Sequence, residues 1–293
     1  MTGKIIKGIA GFYYVHTENA GVFECKAKGI FRNQKIKPLV GDDVKLEILD
    51  EEKKLASIVD VFPRKSQLLR PAVANVDQAI IVFAAKNPEP NRNLLNRFLI
   101  LMTKQELPVI IVFNKTDLIS EEEKKELEDG WRNTGYEIRF LSAKEKQGTE
   151  EFQKLLKGKT TVMAGPSGVG KSTLVNLCQT GVVMETGVVS EKIKRGKHTT
   201  RHSEFIWVEE ETYILDTPGF SSLTIEEVEA EELKNYFPEF EKYEGTCRFR
   251  GCVHDNEPDC KVKQAVADGE ISKQRYEDYQ LLYRELKAVK KYK

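Results

Sequence analysis

Two short loops, each directly behind an apolar run, constrain this chain more than any other feature. "PVIIVF" at 108–113 runs into "NKTD" at 114–117, and "TTVMA" at 160–164 runs into "GPSGVGKS" at 165–172. Continuous apolar runs of this length, bounded by turn residues, fit strands buried on both faces of a mainly parallel sheet, which carries its ligand loops at the strands' carboxyl ends. The second loop has the spacing that wraps a polyphosphate. The first has the Asn-Lys-x-Asp pattern that reads a guanine base. In most chains with both loops the phosphate loop comes first, whereas here it comes second. A bound nucleotide senses where loops lie in space, not the order of their connection. The reversed order therefore implies an α/β nucleotide-binding domain whose chain is circularly permuted.

The chemistry of each loop follows from its residues. Gly165, Gly168 and Gly170 let several backbone N–H groups reach phosphate oxygens, with Pro166, Ser167 and Val169 between them and a helix dipole behind. Lys171 is placed to reach the β- and γ-phosphates and Ser172 to bind Mg2+, with Thr173 opening the helix. Asp117 can accept from both N1–H and the 2-amino group of guanine. Adenine offers neither donor, and a site built around such bonds rejects it. Asn114 would brace the loop, the Lys115 stem would lie over the ring, and Thr116 completes the turn. "SAK" (Ser142, Ala143, Lys144) ends the next strand as a second guanine loop.

"DTPGF" at 216–220 closes a further strand and has the D-x-x-G pattern, with Asp216 near Mg2+ and the Gly219 N–H aimed at the γ-phosphate. Within "GKHTTRH" at 196–202, Thr199 or Thr200 can complete the Mg2+ shell, Thr200 being preferred, in a segment a γ-phosphate would order. Ras-like enzymes orient the attacking water with a glutamine after D-x-x-G. Phe220 stands there and cannot hold water, so slow intrinsic hydrolysis is expected. His198 can supply the missing polar group, or can contact phosphate or RNA. The expected catalytic set is Lys171, His198, Thr200, Asp216 and Gly219.

On either side of this domain the pattern changes. Residues 1–70 hold short strands, "GFYYVHT", "GVFECKA", "DVKLEIL" and "KLASIVDVF", between turn residues, which suits a five-stranded OB-type β-barrel. The turn "PLVGDDV" is similar to turns of RNA-binding barrels, although a purely structural barrel fits as well. Segment 63–75 looks like a basic linker. From residue 76, strands alternate with helices, and Leu95, Phe98, Leu99 and Met102 share one helical face. After about 222 two helical stretches flank "CRFRGCVHDNEPDC". Three thiolates and one imidazole from Cys247, Cys252, His254 and Cys260 make a closed tetrahedral set for one structural Zn2+. Arg248 and Arg250 project from the same knuckle. The expected domains are a barrel at 1–70, a permuted P-loop GTPase domain at 71–222 and an α-helical zinc-binding domain at 223–293.

Charge narrows the partners only locally. Lys plus Arg equals Asp plus Glu at 46 each, yet 192–202 carries five cations and no acid, a candidate RNA contact. The acidic runs at 121–129 and 226–232 read as solvated faces. The five cysteines suit reduced thiols, with Cys25 and Cys178 as small core residues. No run approaches the roughly 18 apolar residues of a membrane helix, and "MTGKIIKGIAG" lacks a signal-peptide core, so a cytoplasmic protein without membrane contact is expected.

Taken together, "GPSGVGKS", "KRGKHTTRH", "DTPGF" and "CRFRGCVH", with the barrel and the loop order, resemble the bacterial small ribosomal subunit biogenesis GTPases, the RsgA family, across nearly the whole chain. The resemblance implies binding of GTP and GDP, Mg2+ with GTP, structural zinc, and action as a monomer on the immature 30S subunit and its 16S rRNA, with hydrolysis late in maturation. Two other classes remain open: a guanylate-kinase-like phosphotransferase, whose phosphate loop is similar, and an RNA-binding assembly scaffold with little turnover.

Overall fold

The protein is described by a computed structural model covering residues 1–29, 31, 36–69, 71–179, 203–216 and 224–289. The N-terminal strands are β1 (Thr2–Ile9), β2 (Phe12–Thr17), β3 (Gly21–Ala27), β4 (Asp43–Asp50) and β5 (Leu55–Val61). They close into a barrel in the order β1-β2-β3-β5-β4, with β3 and β5 parallel and the other barrel pairs antiparallel. Closure removes the free edges that would otherwise invite aggregation. Ile5, Val15, Phe23, Val44, Leu46 and Ile58 fill the interior.

The expected linker is instead an ordered hairpin of β6 (Gln67–Leu69) and β7 (Ala72–Ala74). Leu68, Val73 and Ala74 are buried, and Asn75 ties the hairpin down by donating to the Gly41 carbonyl at 3.0 Å. The turn singled out as RNA-like has a structural role here. Asp42 is fully buried and takes two bonds from Arg64, at 2.7 and 2.8 Å. Gly41, at φ +95°, lies so close to Ala74 that a Cβ would strike its carbonyl.

The next elements alternate: β8 (Gln78–Ala84), α1 (Arg92–Thr103), β9 (Val109–Asn114), α2 (Glu121–Gly130), β10 (Glu137–Phe140), α3 (Thr149–Leu156), β11 (Thr160–Ala164), α4 (Lys171–Gln179), β12 (Phe205–Glu209) and β13 (Thr212–Asp216). Six strands hydrogen-bond in the order β10-β9-β8-β11-β13-β12. β9 with β10 and β11 with β13 run parallel, whereas β12 runs antiparallel to β13 at the edge. β8 is buried at every position, as a two-sided strand requires. Asn91 caps α1 by accepting from the Leu94 N–H at 2.9 Å, and Ser120 with Glu123 forms a capping box on α2, which buries none of its residues.

Toward the C-terminus, two 3-10 segments, Ala230–Tyr236 and Pro238–Tyr243, precede the cysteine cluster where a regular helix was expected; Pro238, lacking an N–H, separates them. α5 (Lys261–Ala267) and α6 (Lys273–Val289) follow. Tyr276, Tyr279, Tyr283 and Leu286 turn inward and pack with Leu233, Phe237 and Phe240. The chain forms two compact units, one of Met1–Ile80, Thr149–Ala164 and Lys171–Gly219, the other of Ile81–Gly148, Gly165–Gly170 and Phe220–Lys293.

Candidate nucleotide site and metal centre

Asn114 ends β9 and is buried, and its amide joins three loops. Its Nδ2 donates to the Val169 carbonyl at 2.9 Å. Its Oδ1 accepts from the N–H groups of Lys115 at 2.8 Å and Ala143 at 3.0 Å. One side chain thus holds the first guanine loop, the second and the phosphate loop in register. Lys115 takes a left-handed backbone (φ +66°), and its Nζ donates to the carbonyls of Gly168 at 2.7 Å and Asn87, so its stem bridges from the base loop to the phosphate loop.

Thr116 donates its N–H to the Leu141 carbonyl at 3.2 Å and opens a 3-10 turn containing Asp117. One Asp117 oxygen accepts from Ser142 Oγ at 2.6 Å, and the other lies 4.0 Å from Lys144 Nζ. Ser142 is itself fully buried and accepts from the Glu145 N–H. The carboxylate is therefore oriented from behind by a hydroxyl, leaving acceptor capacity for a base carrying two donors.

The phosphate loop follows from β11. Gly165 (φ +144°) passes so near Val82 that a Cβ would hit its carbonyl, and Gly170 (φ +97°) packs against the Asn114 amide just as closely. Both glycines are required by close approach as well as by backbone angle. Between them Val169 is buried as an anchor, Pro166 is half-buried, and Ser167 and Gly168 are exposed. Lys171, half-buried, and Ser172 and Thr173, exposed, begin α4 directly after the loop. Asp216 ends β13 opposite Met163 of β11, so the D-x-x-G segment leaves from the strand beside the phosphate loop's strand. His198, Thr199, Thr200, Gly219 and Phe220 lie outside the described residues.

The four residues expected to hold a metal converge, with all ligand atoms within 4.8 Å of one another. Cys247 Sγ lies 3.9 Å from Cys260 Sγ and 3.7 Å from His254 Nδ1, and that nitrogen is 3.3 Å from Cys260 Sγ. A tetrahedral Zn2+ with bonds of about 2.3 Å to sulfur and about 2.0–2.1 Å to nitrogen spaces its ligand atoms by about 3.5–3.8 Å. The donor set and its spacing fit zinc. Burial pushes the Cys252 thiol up to about 12 and raises Cys260 as well, while burial and Lys234 keep His254 below its usual value, hence neutral and able to ligate. Only a cation would draw the protons from thiols so buried. The surrounding chain is held to match. The Glu257 carboxylate accepts from the N–H groups of Val253 at 2.7 Å and Asp255 at 2.9 Å. Tyr276 donates to the His254 carbonyl at 2.8 Å and Tyr279 to that of Val253.

Sequence reasoning missed one polar cluster. Arg275, on α6, donates to Glu239 at 2.7 Å and to Asn96 of α1, and lies 4.7 Å from the Trp131 ring and 4.6 Å from that of Phe237. Asp278 accepts from Asn96 at 3.1 Å, and burial raises its pKa despite Arg92 nearby. The signal was present: Arg275 shares the helical stripe of Tyr279, Leu282 and Leu286, and a cation on an apolar stripe needs a buried partner.

Comparison with known proteins agrees with this geometry. The family model described as RsgA GTPase matches residues 61–226, and that described as RsgA N-terminal domain matches 2–56. Curated relatives named small ribosomal subunit biogenesis GTPase RsgA include one from Agathobacter rectalis, 54% identical over all of both chains, and one from Alkaliphilus metalliredigens, 50% identical over 99% of each. Among solved structures, YloQ, a circularly permuted GTPase, is 37% identical with a TM-score of 0.78, covering 98% of this chain and 95% of its own. YjeQ from Thermotoga maritima is 39% identical with a TM-score of 0.81, covering 97% and 98%. Fold, loop order and site thus define a circularly permuted P-loop GTPase, an enzyme that hydrolyses GTP. The chain belongs to the RsgA GTPase family.

Proposed function

We propose that this GTPase binds the small (30S) ribosomal subunit through 16S rRNA, assists its late maturation, and hydrolyses GTP faster when bound there. The observation that carries the reading is full-length identity of 54% to a relative named for small-subunit biogenesis, by a chain whose guanine and phosphate loops are joined through Asn114. The working domains are 1–70, 71–222 and 223–293. GTP lies with its base on Asp117 and its phosphates on 165–173. Lys171 neutralises charge on the transferring phosphoryl group, and Ser172, Thr200 and Asp216 order Mg2+. Gly219 senses the γ-phosphate, and His198 orients water in place of Phe220. Cys247, Cys252, His254 and Cys260 hold one Zn2+ per chain, which fixes the knuckle bearing Arg248 and Arg250.

A monomer in the cytoplasm suits this role, and no helix among the described residues is long and apolar enough to cross a membrane. Co-sedimentation tests the reading. With a non-hydrolysable GTP analogue the protein should travel with 30S particles, and with GDP it should remain in the free fraction. Equal partition onto 30S and 50S particles in both states would remove the small subunit as partner.

A further inference from the structure

The chain has four histidines, of which His198 and His202 lie in the basic segment and His254 among the metal ligands. The fourth, His16, sits on β2 of the barrel, buried, and its side chain faces the β12–β13 hairpin. Its Nδ1 is 2.9 Å from the Tyr213 hydroxyl, and its ring stacks on Trp207 with centroids 4.6 Å apart and planes 30° from parallel. Tyr213 and Trp207 are direct cross-strand partners. Lys4 Nζ lies 5.6 Å over the Tyr213 ring, and Lys7 makes a 2.9 Å ion pair and an antiparallel bridge with Glu204, at the start of the hairpin.

This hairpin is the covalent link between the two segments expected to answer to the nucleotide. β12 begins three positions after residue 202, the end of the basic loop, and β13 ends on Asp216, the first residue of D-x-x-G. Asp216 is three residues beyond Tyr213, about 10 Å along a strand rising about 3.3 Å per residue. The parallel pairing of Tyr213 with Thr160 and of Asp216 with Met163 ties that short strand to the one that delivers the phosphate loop. Apolar packing alone tolerates small slips. A satisfied buried hydrogen bond together with a ring stack selects one register.

We propose that His16 and Tyr213 are positioning residues for GTP hydrolysis, through which the barrel sets where β13 presents Asp216. This rests on the proposed role of Asp216 in ordering Mg2+. Both act through β13, the strand that ends on Asp216. With His16 as the Nε2–H tautomer, the Tyr213 hydroxyl donates to Nδ1, and the barrel holds the hairpin at its entrance through Lys7 and at its middle through His16.

The test compares Tyr213→Phe, His16→Leu, His16→Asn and the double variant Tyr213→Phe/His16→Leu in the full chain, with Asp216→Asn as the control for the underlying reading. kcat and KM for GTP, GDP affinity and thermal unfolding are measured for each. Misplacement by about 1 Å at a reacting centre can cost about a hundredfold, so Tyr213→Phe and His16→Leu should each lower kcat by about tenfold with KM and GDP affinity changed less than about twofold. The double variant should be no slower than the slower single, because both remove one interaction. His16→Asn, whose Oδ1 takes the place of Nδ1, should recover most of kcat.

If Asp216→Asn slows turnover while Tyr213→Phe and His16→Leu leave kcat within twofold, the positioning role is wrong and the site assignment stands. If kcat falls only in proportion to lost folded protein, or His16→Asn is no better than His16→Leu, the contact is structural and the proposal fails. Unchanged turnover in Asp216→Asn overturns both readings.

Discussion

Removing Arg275 isolates the energetics of a fully buried ion pair in the C-terminal packing. Arg275 and Glu239 have side chains only 2% exposed and meet at 2.7 Å, with the guanidinium between the Trp131 and Phe237 rings. Arg275→Met keeps much of the volume but strands the Glu239 carboxylate in that apolar setting. Breaking a buried pair in this way costs about 3–5 kcal/mol. Replacing both, Arg275→Met with Glu239→Leu, removes the stranded charge and should return stability to within about 1 kcal/mol of the native chain, since apolar substitutes for buried ion pairs are often neutral or stabilising. The assay is urea unfolding followed by Trp131 fluorescence in a Trp207→Phe background, so that the only remaining tryptophan reports on this packing. With a slope of about 2 kcal/mol per molar urea, the single variant should lower the midpoint by about 1.5–2.5 M and the double should regain most of it. A single variant within about 0.5 M of native, or a double no better than the single, would refute the reasoning.

Three further outcomes are expected. Asp117→Asn should weaken GTP binding and favour xanthosine triphosphate, whose 2-position is a carbonyl; equal binding of ATP and GTP by the native chain would end the guanine assignment. Metal analysis of protein prepared without chelator should find about one Zn2+ per chain, and Cys260→Ser should lose it while changing GDP affinity less than about twofold, because the metal ligands are separate from the base loops. Burial lowers the His16 pKa below 6.5, so the unfolded chain binds that proton more readily. The stabilisation from neutral His16 is therefore complete above about pH 6.5 and is lost as pH falls from there toward the folded value. Unfolding of the barrel unit, followed by Trp207 in a Trp131→Phe background, should show less acid sensitivity in His16→Asn than in the native chain.

The sequence made the permuted domain legible because β8, β9 and β11 are buried almost throughout, and their apolar runs point directly at the loops that follow. The cysteine cluster was legible for a similar reason, its ligands lying within fourteen positions. β1 was not. Only Ile5 of its eight residues is fully buried, and Gly3 is there because a side chain would strike the His16 carbonyl, a requirement invisible without the neighbouring strand. The β6–β7 hairpin was mistaken for a linker because its order comes from long-range partners, Asn75 on Gly41 and Arg64 on Asp42. Asn114 was expected to brace its own loop; that it also reaches Val169 and Ala143 depends on segments 29 and 55 residues away.

Coupling of hydrolysis to the small subunit is most directly tested by steady-state GTP turnover with and without purified 30S particles at equal Mg2+ and salt. Phe220 in place of a water-orienting glutamine predicts slow turnover by the free protein. Ordering of a catalytic group elsewhere adds about 10³–10⁵ in rate, so 30S particles should raise kcat by at least about tenfold, less at high salt as phosphate contacts are screened, while 50S particles should not. Equal turnover with and without 30S particles would contradict the account.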